Sequence, residues 1–78
     1  MNKNRRARLR TAVRLLGQAA SIVDSVCDEE RDSLGNMPEN LQDSDRCKAM
    51  DDAISDLEDA ASSISEASEC IERACDAG

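Results

Sequence analysis

One reversal signal divides this chain. Gly35-Asn36-Met37-Pro38 contains the sequence's single proline, and on either side of it apolar residues recur every three and four positions, the period of a helix resting on a neighbour. Two helices, near residues 4–34 and 44–75, are therefore predicted around a turn at 35–43, all within one domain, residues 1–78. The connection is short, so the helices must run antiparallel. Gly35 reads as a left-handed C-cap of helix one, and Pro38 stands where a helix can begin. Two starts compete for helix two. Asn36 with Glu39 could form a capping box, or Ser44 could cap a later start after a turn at 38–42.

The stripes differ between the halves. In helix two, Cys47, Met50, Ile54, Leu57, Ala61, Ile64, Ser68, Ile71 and Cys75 keep the 3-4 spacing without a slip, flanked by Ala53, Ala60, Ala67 and Ala74 at seven-residue intervals. Such an edge allows close approach of another helix, although alanine is also simply the best helix former. Helix one carries two stripes side by side. Val13, Leu16, Ala20, Val23, Cys27 and Leu34 form one; Ala12, Leu15, Ala19, Ile22 and Val26 form the other. A hairpin needs a single seam, so the second implies another neighbour, as in a four-helix bundle. The expected fold is all-α: a coiled-coil-like antiparallel hairpin that dimerises into a four-helix bundle through Leu15, Ile22 and Val26.

Composition strengthens the case for a partner. Leu, Ile and Val number 13 of 78 and there is no aromatic residue, a level that together with high net charge usually accompanies disorder. A chain of this size also removes only about 60% of its unfolded surface from water on folding.

Charge is segregated. Residues 1–16 hold Lys3, Arg5, Arg6, Arg8, Arg10 and Arg14 and no acid, whereas all 17 acids lie between Asp24 and Asp76 among four bases. In an antiparallel hairpin the basic start lies near Glu66, Glu69, Glu72 and Asp76, which accounts for the segregation structurally and is preferred to a nucleic-acid arm. The arm reading remains: residues 4–10 could neutralise phosphates with salt-sensitive affinity, although stacking aromatics are absent.

Metal and catalytic chemistry find little purchase. The clusters Asp28-Glu29-Glu30, Asp43-x-Asp45 and Asp51-Asp52 lack calcium-loop spacing, and without histidine there is neither a di-iron motif nor a Cys/His zinc set. No cofactor, metal or catalytic residue is expected, and the protein is read as a non-enzyme. Cys27, Cys47 and Cys75 fit the stripes as small core fillers, leaving Cys70 as the exposed thiol. No secretory leader is evident and no run approaches a membrane span. A cytoplasmic setting with free thiols and no membrane contact follows as the expectation.

The acids of helix two suggest a sharper role. Asp51, Asp52, Asp56, Glu58, Asp59, Glu66, Glu69 and Glu72 could imitate a nucleic-acid backbone and occupy a protein's DNA or RNA channel. The plain account of the same residues is solubility of a thin-cored helix, which composition alone favours. The turn residues Pro38, Glu39, Asn40 and Gln42 supply the irregular surface beside them, and loops on a rigid scaffold are favoured binding elements.

Asp28-Glu29-Glu30, the turn Asn36-Met37-Pro38-Glu39-Asn40-Leu41-Gln42, Ser44-Asp45-Arg46 and the run from Met50 to Ala60 carry a family likeness. Together they resemble a set of short uncharacterised acidic helical-hairpin proteins of phages and mobile elements of gut and clostridial bacteria. The P-E-N-L-Q turn is the most specific part. Arg46-Cys47 and Ser62-Ser63-x-Ser65 depart from the pattern and put the packing there in doubt. The resemblance implies an accessory protein of the bacterial host cytoplasm and brings no catalytic residues. The expected function is binding, with possible inhibition, of a host protein such as a defence-system component. A nucleic-acid-associated regulator and a structural or assembly protein are the alternatives.

Overall fold

A computed structural model of the chain describes residues 1–41 and 44–77. Helix α1 runs Lys3–Gly35, a 3₁₀ turn occupies Glu39–Leu41, and helix α2 runs Asp45–Ala77. Each helix has 33 residues, about 50 Å at 1.5 Å per residue. They lie side by side in a rod of 59 × 15 × 13 Å. This is the expected all-α antiparallel hairpin, its boundaries within two residues of the predicted ones.

Local chemistry explains the ends. Asn2, in extended conformation, accepts the Arg5 backbone N–H on its side-chain oxygen at 2.8 Å, satisfying one of the orphan donors that open α1. At the other end the structure corrects the expectation for Gly35. No described glycine has a positive φ, and Gly35 is the last helical residue. The helix instead stops by tightening: Asn36 N–H still reaches the Asp32 carbonyl at 3.1 Å, Met37 N–H reaches back only to Leu34 at 3.1 Å, and Pro38 has no N–H to continue.

The competition between starts resolves in favour of Ser44. Its Oγ accepts the Cys47 N–H at 3.2 Å and its carbonyl accepts the Lys48 N–H at 3.1 Å. Pro38 opens the intervening 3₁₀ turn, its carbonyl accepting the Leu41 N–H at 2.9 Å.

The core is one side chain thick. Cys27, Cys47, Ile54 and Cys75 are the buried hydrophobic residues among those described. Val13, Leu16, Ala20, Val23 and Leu34 of α1 are half-buried, as are Met50, Leu57, Ala61, Ile64, Ser68 and Ile71 of α2. The predicted 3-4 stripes thus meet each other. Cysteine suits this interface because a small, polarizable side chain lets two backbones approach, and the Cys27 thiol sits 3.9 Å from the Ile54 carbonyl. Cys70 is exposed, as its place off the stripe requires.

Candidate interaction surfaces

A helix turns about 100° per residue, and α2 runs antiparallel to α1, so every remaining residue can be assigned a side of the rod. Three surfaces result.

The acids of α2 spread over its solvent side: Asp51, Asp52, Asp56, Glu58, Asp59, Glu66, Glu69 and Glu72 are all exposed. Glu58 and Glu72 lie toward the Arg31 side, whereas Asp56, five whole turns from Ala74, shares the side of the alanine ridge. Glu58 is already engaged: Arg31 of α1 donates to its Oε1 at 2.8 Å and to Asp28 Oδ1 at 3.0 Å. The hydrogen bond to Glu58, more than any other influence, holds the Arg31 guanidinium above its ordinary pKa. Both partners keep about half their side-chain surface in water, so the bridge aligns the helices more than it stabilises them. The turn residues Pro38, Glu39 and Asn40 are exposed beside this end. Gln42 lies outside the described residues.

The second surface faces the side on which Arg31 meets Glu58. There Arg10, Val13, Glu72, Cys75 and Asp76 line one shallow groove, so the hairpin does bring the basic start of α1 to the acidic end of α2. Contact is not reached. Among the described residues no ion pair within 4.0 Å joins the α1 bases of residues 3–14 to Glu66, Glu69, Glu72 or Asp76. The expected pairing is therefore found as proximity without an ion pair.

The third surface is apolar and lies on the opposite side. Leu15 is 53% exposed, Ile22 65% and Val26 42%, with half-buried Ala12 and Ala19 between them. The ridge Ala53, Ala60, Ala67 and Ala74 of α2 projects to the same side, half-buried at its first two members and exposed at the last two. A second groove, lined by Met1, Arg5, Arg8 and Leu9, extends this face at the α1 N-terminus. The two seams of α1 are therefore unequal: one is covered by α2 and the other is open.

Among the described residues, no three His, Cys, Asp or Glu side chains are arranged to hold a metal ion, and no helix is long and apolar enough to cross a membrane. Sequence reasoning missed three features. The Asn2 cap was signalled by residue type alone. The Arg31–Glu58 bridge required the register across the turn, and the shared side of the α1 seam and the α2 ridge required the handedness of the pair. No protein-family profile, curated protein or solved structure matches the chain.

Proposed function

We propose that the protein is a non-enzymatic binding module whose acidic α2 face and Pro38 turn engage the nucleic-acid channel of another protein. The setting is the bacterial cytoplasm, where an accessory protein of a phage or mobile element would bind, and so inhibit, a host component such as a defence protein. One observation carries this reading. Eight carboxylates, with no base among them, occupy α2 from Asp51 to Glu72, a rise of about 32 Å. That averages one charge per roughly 4 Å, in two groups separated by the step from Asp59 to Glu66, against one per 3.4 Å along a single DNA strand. The scaffold is a straight rod, so the spacing is held before binding and little ordering cost falls on the complex.

Electrostatic mimicry predicts steep salt dependence and a fast, steered on-rate. The test is capture of nucleic-acid-binding proteins from a bacterial lysate, with displacement by duplex DNA. Reversing Asp52, Asp56 and Asp59 to Lys should abolish the DNA-displaceable fraction while helicity is kept, because these positions lie off the apolar stripe. Unchanged recovery would overturn the reading.

The second reading, a nucleic-acid-associated regulator, is favoured by the N-terminal bases. Lys3, Arg5, Arg8, Arg10 and Arg14 are exposed and make no ion pair within 4.0 Å among the described residues. Strong retardation of plain duplex DNA at low salt, lost on raising the salt, would select it.

A further inference from the structure

The open apolar face borders the acidic one only at Asp56, and its occupant can be argued from symmetry and charge. We propose that it is covered by a second copy of the chain, packed face to face and antiparallel. The two-fold axis would cross α1 at Ala19 and α2 between Ala60 and Ala67.

An isologous pairing needs one axis that bisects every contacting stripe at the same height. The seam Ala12, Leu15, Ala19, Ile22, Val26 is centred on Ala19, and the ridge Ala53, Ala60, Ala67, Ala74 is centred between Ala60 and Ala67. These centres belong to different helices, and nothing in either stripe alone requires them to be level. The hairpin makes them so. Cys27 meets the Ile54 carbonyl across the interface; eight residues back along α1 is Ala19, and eight forward along α2 is Ser62. The two midpoints therefore agree within about two residues, roughly 3 Å along the rod.

Charge selects the direction. The rod end formed by residues 1–14 and 66–77 holds seven bases and four acids, net +3, whereas the other described residues, 15–41 and 44–65, hold three bases and twelve acids, net −9. Parallel pairing would stack the two −9 regions. Antiparallel pairing sets each +3 end against a −9 region, the arrangement that complementary interfaces adopt. On the face itself Arg8 and Glu30 are equidistant from Ala19, so Arg8 of each copy meets Glu30 of the other, with Glu29 alongside. The area is sufficient: a face 59 Å long and 15 Å wide offers roughly 900 Å², against about 800 Å² per partner in an ordinary specific interface. Four helices then enclose a core between the α1 seams and alanine ridges, with Asp56 at its rim and the other outer acids of both α2 helices in solvent.

Sedimentation equilibrium of the full chain tests this directly, since the chain mass is 8.5 kDa. At micromolar concentration the particle should have twice that mass. Ile22→Asp should return it to the monomer mass with helicity retained. The direction is tested by charge reversal, which leaves the apolar seam intact even if Ile22→Asp unfolds the hairpin. Arg8→Glu and Glu30→Arg should each weaken dimerisation about tenfold, since each introduces two symmetry-related repulsions. The double variant should restore the original affinity, because the reversed charges again meet across the axis. A wild-type monomer, a dimer that Ile22→Asp leaves intact, or a double variant no better than the singles would each overturn the proposal. None of these readouts involves the acidic outer face, so failure here and failure of the mimicry reading are distinguishable.

Discussion

Helices α1 and α2 have the same length and share one interface, yet they solve the problem of a sparse apolar composition differently. α2 commits its large apolar side chains to the single stripe that α1 covers, fills the flank with alanine and turns acids outward. α1 spreads its apolar residues over two stripes. The first meets α2, and the second leaves Ile22 at 65% exposure on the outside of the hairpin. The contrast teaches that an apolar residue at perfect helical spacing is evidence of a neighbour, not of which neighbour. Single exposed apolar residues need no explanation; a continuous seam of them over four turns does.

Truncation on the two stripes breaks the comparison most sharply. Ile54→Ala, at the buried centre of the hairpin, should cost about 2–4 kcal/mol, visible as a large drop in the thermal midpoint. Ile22→Ala is the same chemical change on the open seam and should cost about 0.5 kcal/mol in the isolated hairpin. If the second copy covers it, the Ile22→Ala cost should instead grow with protein concentration. Equal, concentration-independent costs at the two sites would erase the distinction between the stripes.

Caps come next in size. Ser44→Ala removes the acceptor for the Cys47 N–H and should lower stability by about 1 kcal/mol in a denaturant titration, Ser44→Gly by less. Gly35→Ala works in the opposite direction. Its φ is not positive and a Cβ there meets nothing within 4 Å, so restricting the unfolded chain should stabilise the protein by about 0.5 kcal/mol. Loss of stability would mean that Gly35 is left-handed after all.

The smallest effect is expected at the inter-helix bridge. Glu58→Gln should shift the thermal midpoint slightly at low salt and not at all in molar salt. The pKa direction adds a pH statement. Arg31 is raised in the folded protein, so its contribution is complete below its unfolded value and is lost only as pH rises through the folded one. Across neutral and mildly alkaline pH the bridge should therefore add no slope to stability.

These contrasts also explain what was readable beforehand. The hairpin follows from the uninterrupted α2 stripe and one proline, because a 3-4 spacing maintained from Cys47 to Cys75 has no other economical use. The helix ends are legible to within two residues, and Ser44 is one of the two caps that the sequence offers. Gly35 misled because glycine at a helix end so often marks a left-handed cap, whereas here the Met37 N–H and Pro38 end the helix without it. Of the candidate binding residues, exposure alone was foreseeable. That Glu58 is shared with Arg31 depends on register across the turn, which spacing within either helix does not determine. The openness of Leu15, Ile22 and Val26 was implied by the doubled seam of α1.

Small-angle X-ray scattering in dilute solution measures mass, radius of gyration and maximum dimension together, and so tests the hairpin and its open seam at once. The hairpin has a radius of gyration of 17.6 Å and a length of 59 Å, whereas an unfolded chain of this size would have a radius of gyration near 27 Å. Side-by-side antiparallel pairing predicts twice the chain mass of 8.5 kDa with a maximum dimension still close to the length of one rod. A particle of single-chain mass would contradict the covered seam, and a doubled mass with doubled length would contradict the face-to-face arrangement.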